Sequence, residues 1–257
     1  MKSMKFEICA ATDKGKIRKN NEDNYFINSD FLSFSQANEG TGSAVTLSAP
    51  FTAGVSDGMG GEKNGENASL ITVSSFSRYF TSTCKPSAHQ LTEAVRAINK
   101  TICSICPGSG ATLAAVCAGE DGLCAVTIGD SRIYLYSGGI LQLISTDHTL
   151  AQLHVDAGML TREEAVTSSL RHSLTQHLGI PEKEMQIEPD IIEIEGFTKG
   201  DILLLCSDGL YDTVTGSEIL CILEEDCSSE LKNKKLIEAA LERGGPDNIT
   251  SMLLSCI

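Results

Sequence analysis

Short runs of apolar residues, or of alternating apolar and polar residues, recur along the chain, and this pattern is typical of β-strands. They predict a first strand at residues 5–11, with residues 24–28 as its hairpin partner. A third strand follows at 51–56. A meander of four short strands separated by Gly-containing turns comes next, at 111–118, 123–128, 132–136 and 140–144. Three late strands complete the series, at 187–194, 201–206 and 248–255.

Helical patterns occur in separate blocks between these strands. They predict helices at 65–80 and 87–103, divided by Lys85-Pro86, and two late helices at 217–225 and 229–243. Because strands and helices come in blocks without βαβ alternation, the order favours an α+β layered fold with largely antiparallel sheets over a doubly wound one.

Two segments interrupt this series of apolar strands and helices. Residues 30–50 are rich in Ser, Gly, Asn and Thr, which predicts a surface loop. Residues 149–180 lose the strand pattern and become polar and helical, which indicates an insertion, or flap, between strands.

Length and composition limit the classes of protein that the chain can belong to. The 257 residues fit one large domain or two small ones, and 41% hydrophobic residues are enough for a sizeable core. No segment approaches the roughly 20 apolar residues that span a bilayer. The apolar patch after Lys2 and Lys5 is too short for a secretory signal, so we expect a cytoplasmic protein without a membrane partner.

Charge and cysteine content further limit the partners and sites that the chain can have. Lys and Arg total 20 against 34 Asp and Glu, a net charge of −14, which argues against a nucleic-acid partner. A phosphorylated substrate stays compatible if a local cation attracts it. The ten cysteines are scattered through apolar runs, as buried reduced thiols are. Cys103 and Cys106 form one C-x-x-C pair without the second pair that a zinc site needs.

Acidic residues at strand ends are the chemical signal of this sequence. Apolar strands run through a small residue into Asp57, Asp130 and Asp208, and Asp247 precedes the last strand. Glu22 and Asp23 stand just before the strand at 24–28. A single Asp in such a place is usually a turn or cap residue, but a set that converges needs raised pKa values or bound cations. Carboxylates without His or Cys suit Mg²⁺ or Mn²⁺.

Ordered motifs along almost the whole chain carry a family resemblance. At these residues the chain resembles the metal-dependent protein phosphatase (PPM, type 2C) family in its bacterial form. The motifs are Arg18-Lys19-Asn20-Asn21-Glu22-Asp23, Asp57-Gly58-Met59-Gly60-Gly61, Gly110-Ala111-Thr112, Gly129-Asp130-Ser131-Arg132, Asp147-His148, Ser207-Asp208-Gly209-Leu210 and Gly244-Gly245-Pro246-Asp247-Asn248-Ile249-Thr250.

The resemblance implies a fold, an activity and a cofactor. The fold would be a four-layer α/β/β/α sandwich, two central and mainly antiparallel sheets flanked by helices, in one domain spanning 1–257 with the flap at about 149–180. The activity would be hydrolysis of phosphoserine and phosphothreonine monoesters in proteins. The cofactor would be two Mn²⁺ or Mg²⁺ ions, with a third, weaker ion as an option, and the mechanism would be attack on phosphorus by a hydroxide that bridges two ions.

The resemblance also assigns the metal ligands and the phosphate contact. Asp57 would bridge two ions and Gly58 would offer its carbonyl. Asp208 and Asp247 would complete one ion's site. Three further acidic residues and one arginine would complete the centre: Glu22 and Asp23 supporting the other ion through waters, Asp130 holding the third ion, and Arg18 gripping the substrate phosphate.

The proton donor for the leaving alkoxide is where the sequence departs from the family. Animal members carry His at the position of Met59, and many bacterial members carry His at the position of Glu62. A metal-bound water could supply the proton, or Glu62 could if burial raised its pKa, while Glu62 could equally just favour the dipole of the helix that begins near Gly65. We expect His148 to orient the turn into the flap.

The expected partners are phosphorylated proteins, the products of a serine/threonine kinase, acted on by a monomer. A small phosphorylated regulator, such as an anti-sigma-factor antagonist, is an alternative substrate. A pseudophosphatase that binds phosphoproteins without turnover is the alternative from another class, and the retained acidic set argues against it.

Overall fold

The computed structural model describes residues 5–60, 64–79 and 85–257, and its strands and helices alternate in blocks. The strands are β1 (Lys5–Asp13), β2 (Asn24–Ile27), β3 (Asp30–Phe31), β4 (Thr41–Ser48), β5 (Phe51–Ser56), β6 (Gly58–Met59), β7 (Gly110–Ala111), β8 (Leu113–Gly119), β9 (Gly122–Ile128), β10 (Arg132–Ser137), β11 (Ile140–Leu143), β12 (Asp190–Ile194), β13 (Ile202–Cys206) and β14 (Ile249–Cys256). The helices are α1 (Phe34–Glu39), α2 (Gly65–Tyr79), α3 (Ala88–Ile105), α4 (Leu150–Asp156), α5 (Arg162–Thr167), α6 (Asp208–Tyr211), α7 (Gly216–Glu224) and α8 (Ser229–Glu242), with a 3-10 helix at Ser169–His172.

Two six-stranded antiparallel sheets form the centre of the molecule. The first has the order β11-β10-β13-β14-β1-β4, and the second has the order β12-β9-β8-β5-β2-β3. Short strands β6 and β7 pair separately beside the second sheet. The α+β architecture that the strand and helix blocks predict is confirmed.

Alternation along the strands separates the core into three apolar layers. In β13, Leu203 and Leu205 pack between the two sheets, whereas Leu204 and Cys206 face the layer that contains α7 and α8. A third layer lies between the second sheet and helices α2 and α3. Because successive side chains of a strand point to opposite faces, each central strand feeds two layers, and the four-layer sandwich is confirmed.

Helix α3 shows how the outer layers follow from sequence. Leu91, Val95, Ile98 and Ile102 recur at three- or four-residue spacing and are fully buried against the second sheet. Ser87 caps the helix, and its side chain accepts a hydrogen bond from the backbone of Gln90, a capping box that fixes where the helix begins.

The predicted hairpin between residues 5–11 and 24–28 is wrong. Strand β1 pairs with β14 and β4 in the first sheet, and β2 pairs with β5 and β3 in the second. Strands β1 and β2, which are neighbours in the sequence, therefore lie in different sheets. The apolar alternation that reveals a strand carries no information about its partner when both sheet faces are buried.

The predicted loop at 30–50 is also wrong, since it contains β3, α1 and β4. Strand β4 is an edge strand whose exposed positions are filled by small residues, namely Gly, Ala, Ser and Thr. An edge strand with one solvated side has the small polar composition that also marks loops, and this similarity explains the error.

The predicted meander is two hairpins in two sheets. Strands β8 and β9 pair in the second sheet, β10 and β11 pair in the first, and the chain crosses between them at 129–131. Helix α6 was not predicted, because its four residues follow β13 directly and are too few to show a helical period.

The flap prediction at 149–180 is consistent with the structure, which places α4, α5 and the 3-10 helix there without a strand. Within the described residues, no helix combines the length and apolar character that a bilayer crossing requires.

Candidate metal centre

A cavity of about 770 Å³ lies where the strand ends of both sheets meet. Seven of the eight residues that the sequence singles out line this cavity: Arg18, Glu22, Asp57, Gly58, Asp130, Asp208 and Asp247. The eighth, Asp23, is buried with 1% exposure and accepts a hydrogen bond from Ser207, the residue before Asp208. Residues up to 229 positions apart in sequence thus meet at one site.

Asp57 follows β5 and is held by the neighbouring strand. Its backbone N–H donates to Thr112 Oγ1 at 2.9 Å, and its carbonyl accepts from the Thr112 N–H at 2.8 Å. Thr112 Oγ1 lies 2.6 Å from Ser131 Oγ, next to Asp130. Three of the motifs are therefore tied together by buried hydroxyl groups, which hold the backbone of Asp57 in place.

Asp23 joins three segments beneath the cavity. The Ser207 hydroxyl donates to Asp23 Oδ2 at 2.7 Å and accepts from the Thr250 N–H at 3.0 Å. Ser207 precedes Asp208, so this bond links the first, sixth and seventh motifs. A shift of any one of these strands would disturb the other two.

Gly58 allows close approach of three backbone segments. A Cβ there would lie 2.1 Å from the Gly65 carbonyl oxygen and 2.7 Å from that of Glu22. The Gly58 N–H donates to the Glu22 carbonyl at 3.1 Å. Only glycine fits this position, and it keeps Glu22 beside Asp57.

Arg18 and Asp247 form an ion pair at the rim of the cavity. Arg18 Nη2 lies 2.6 Å from Asp247 Oδ2, and the Arg18 side chain is 50% exposed. The Asn248 N–H donates to Asp247 Oδ1 at 2.8 Å. The guanidinium is therefore close to the acidic cluster and still accessible from solvent.

Asp130 is supported by an aromatic and ionic layer. The Tyr211 hydroxyl donates to the Asp130 carbonyl at 3.0 Å, and Arg132 stacks 3.7 Å above the Tyr211 ring. Arg132 in turn binds Asp147 at 2.7 Å. This layer uses the motif residues Arg132 and Asp147 to hold the Asp130 backbone in place.

Burial raises the pKa values of the clustered carboxyls. It raises the pKa of Asp23 to about 6 and that of Asp130 to about 7. Burial also raises the pKa values of Asp57 and Asp208 well above the ordinary range, and the neighbouring acidic side chains raise them further. Such a cluster favours either protons or cations, since ionised carboxyls repel one another in a low dielectric.

Two buried oxygens favour cations over protons as the ligands of this cluster. Asp23 Oδ1 and Asp208 Oδ1 have no hydrogen-bond partner among the described residues. A buried acceptor without a donor is costly, and a cation satisfies it. The cavity offers mainly carboxylate oxygens, so the residues present fit hard ions such as Mg²⁺ or Mn²⁺.

Comparison with known proteins identifies the family. A family model described as protein phosphatase 2C matches residues 40–243. The chain belongs to the protein phosphatase 2C family. Serine/threonine protein phosphatase PstP of Mycobacterium tuberculosis is 33% identical over 96% of this chain and 44% of its own length. Protein phosphatase PhpP of Streptococcus pneumoniae is 31% identical over 97% of both chains.

Solved structures agree with this protein phosphatase 2C assignment. The crystal structure of the M. tuberculosis phosphatase PstP/Ppp superposes with a TM-score of 0.80 at 32% identity, covering 98% of this chain and 99% of that one. A catalytic domain of PstP in complex with two manganese ions superposes with a TM-score of 0.78 at 30% identity, over 99% of this chain and all of that one.

The flap of this protein phosphatase 2C contributes residues that the sequence did not reveal. His172, Leu174 and His177 line the cavity. A nitrogen of His172 and carboxylate oxygens of Asp208 and Asp212 lie within 4.8 Å of one another, a further set of donors at the edge of the site. Their spacing in the sequence resembles no metal motif, so only the fold brings them together.

The expectations for Met59, Glu62 and His148 have different outcomes. Met59 lines the cavity, and Glu62 lies outside the described residues. His148 orients the turn, as expected, because its Nδ1 accepts from the Gly129 N–H at 3.2 Å and its carbonyl accepts from the Thr175 N–H at 2.8 Å. It thus ties the turn before Asp130 to the far end of the flap.

Proposed function

We propose that this chain hydrolyses phosphoserine and phosphothreonine monoesters in proteins with the help of two Mn²⁺ or Mg²⁺ ions. One observation carries the proposal. Buried oxygens of Asp23 and Asp208, which have no hydrogen-bond partner in the described part of the chain, adjoin a cavity lined by the strand-end carboxylates and Arg18. Membership of the protein phosphatase 2C family supports the same chemistry.

The proposed ligands follow the cavity wall. Asp57 would contact both ions, Asp208 and Asp247 would complete the shell of one, and Gly58 would offer its carbonyl. Asp23 and Glu22 would support the other ion, and Asp130 would hold a third, weaker one. When bound, the ions would lower the pKa of a water to near neutral and offset the charge of the phosphate.

Arg18 would bind and orient the phosphate. Its guanidinium can donate two parallel hydrogen bonds to two phosphate oxygens, a geometry that Lys cannot reproduce. A cation held by Asp247 would compete with Arg18 for this carboxylate, which would leave the guanidinium available to the substrate phosphate.

The leaving oxygen needs a proton that Met59 cannot give. We propose that water in the cavity supplies this proton. We also propose that the chain is one domain, a monomer, and works in the cytoplasm on the products of a serine/threonine kinase. The nine described cysteines are all free thiols, as in proteins from reducing compartments.

The test is hydrolysis of p-nitrophenyl phosphate and a phosphothreonine peptide in Mn²⁺, Mg²⁺ or EDTA, with Asp208→Ala as the inactive control. We expect turnover of both substrates with either metal and none in EDTA or in the variant. Calorimetric titration with Mn²⁺ separates the alternatives, because metal binding without turnover would identify a binding protein and overturn the proposal.

A further inference from the structure

A basic loop borders the acidic cavity. Four cations fall within six residues: Lys14, Lys16, Arg18 and Lys19. The whole chain has only 20 Lys and Arg and a net charge of −14. A local reversal of charge at the rim of an active site determines which ligands approach it, since clefts focus the field of nearby charges.

One side chain fastens both ends of this loop. Asn248 Nδ2 donates to the Lys14 carbonyl and to the Asn20 carbonyl, each at 2.9 Å. The Lys16 N–H donates to the Gly245 carbonyl at 2.8 Å. The loop is therefore held against the segment that carries Asp247, and its position is set by the metal centre itself.

Only glycine at position 15 allows this close contact between the loop and the segment that carries Asp247. It has φ +77°, and a Cβ there would lie 2.1 Å from the Asp247 carbonyl oxygen. The backbone thus passes against the closing motif, while the side chains of Lys16, Ile17 and Lys19 are exposed. The backbone that carries these cations is therefore held at the rim of the cavity.

The lysines of the loop are free to meet a ligand. Lys16, Ile17 and Lys19 are exposed, and Ile17 and Lys19 line the cavity. Neither Lys16 nor Lys19 makes an ion pair with any residue in the part of the chain that the structure describes. Arg18 differs, because it is paired with Asp247.

We infer that Lys16 and Lys19 select phosphoproteins in which Asp or Glu flanks the phosphorylated residue. The inference rests on the proposed phosphatase function and names the substrate class of that site. Adjacent Cα atoms are 3.8 Å apart, so both lysines reach positions about one to three residues from a phosphate held by Arg18.

The physical reason is a balance of near and distant charge. The net charge of −14 repels an acidic peptide, whereas the cations of the loop attract it at the rim of the cavity. Two solvent-exposed ion pairs together favour an acidic flank over a neutral one by about 2- to 30-fold. Salt should weaken this preference, because the Debye length falls to about 8 Å at 0.15 M.

The experiment compares three phosphothreonine peptides that differ only in flanking residues, which are Glu, Gln or Lys. The readout is the ratio of kcat/KM between peptides, at low and at high salt, with p-nitrophenyl phosphate as a substrate that has no flank. The test variant is Lys16→Gln combined with Lys19→Gln. The matched control is Lys183→Gln, which removes an exposed lysine from the loop that follows the flap.

We expect wild type and Lys183→Gln to prefer the Glu peptide over the Gln peptide by about 2- to 30-fold at low salt. The double variant should bring that ratio close to one, and so should high salt in the wild type. Equal ratios in wild type and double variant, with p-nitrophenyl phosphate still hydrolysed, would overturn the inference alone. Absence of any hydrolysis with Mn²⁺ would instead overturn the proposed function, and the inference with it.

Discussion

The floor and the flap of the cavity are built in opposite ways. The floor consists of carboxylates at the ends of central strands, tied by buried hydroxyl groups such as Thr112 Oγ1 and Ser207 Oγ. The flap consists of short helices, of which α5 and the 3-10 helix bury no residue and α4 buries only Ala151. The carboxylates therefore lie at the ends of buried strands, whereas the helices of the flap are mostly exposed.

The flap is anchored in the core at its C-terminal end and fastened by an ion pair in its middle. Leu178 is fully buried in the apolar layer between the second sheet and helices α2 and α3, and it exchanges two backbone hydrogen bonds with Ala111, at 2.9 and 3.0 Å. Arg171 binds Asp212 through both terminal guanidinium nitrogens, at 3.0 and 3.1 Å. Because Asp212 directly follows α6, whose first residue is Asp208, this ion pair holds the helical part of the flap beside the metal centre.

The strongest test of the floor is Asp57→Asn, which keeps the size of the side chain and removes its charge. We expect kcat/KM to fall by at least on the order of 10³-fold, because the neutral amide cannot hold the cation charge that stabilises the transition state. Steady-state kinetics in Mn²⁺ measures this. The control is Asp226→Asn, an exposed turn residue. Activity near that of the wild type would exclude Asp57 from the centre.

A second test of the floor is the pH dependence of stability without metal. The folded pKa values of Asp23 and Asp130, about 6 and about 7, lie above their unfolded values. Their stabilising contribution is thus complete below pH ~4 and is lost as pH rises through 6 and 7, on the order of 3 kcal/mol per group.

Thermal unfolding in EDTA between pH 5 and 8 measures this effect. We expect Tm to fall as pH rises, and Asp23→Asn to flatten the lower part of the curve. Mn²⁺ should oppose the fall, because the ionised carboxyls then bind the cation. A Tm that rises with pH in EDTA would contradict the burial of these carboxyls.

A smaller effect is expected at the rim, where Arg18 lies between floor and substrate. We expect Arg18→Ala to raise KM for phosphoesters by about 10- to 100-fold and to lower kcat less, because a charge-assisted bidentate bond to the phosphate is lost. Arg18→Lys should recover part of the loss. Kinetic constants equal to those of the wild type would remove Arg18 from the site.

The smallest effect concerns the fastening of the flap. Arg171→Ala should increase amide hydrogen exchange in residues 150–173 by up to about fivefold, the value of a partly exposed ion pair, while the global Tm changes little. Arg162→Ala is the matched control, since Arg162 is another exposed arginine of the flap. Equal exchange in both variants would show that the Arg171–Asp212 pair does not hold the flap.

The sequence predicts the floor well and the flap poorly, for a physical reason. A carboxylate after a buried strand, as at Asp57 or Asp208, has its position set by local structure, so its ordered motif reveals it. His172 and His177 reach the cavity only through the path of the flap, which no local pattern encodes. The partners of β1 and β2 were missed similarly, because pairing depends on segments more than 200 residues away in the case of β14.

The neighbouring positions of β1 and β14 also bear on how the protein is made. Strand β14 lies between β1 and β13, and Asp23 reaches Ser207 and Thr250 only once that strand is in place. Since a nascent chain emerges from the ribosome N-terminus first, the metal-binding cluster is completed only after nearly all described residues have been synthesised. Contacts between residues so far apart in the sequence also predict slow folding. We therefore expect the acidic cluster to assemble only after this region has been translated.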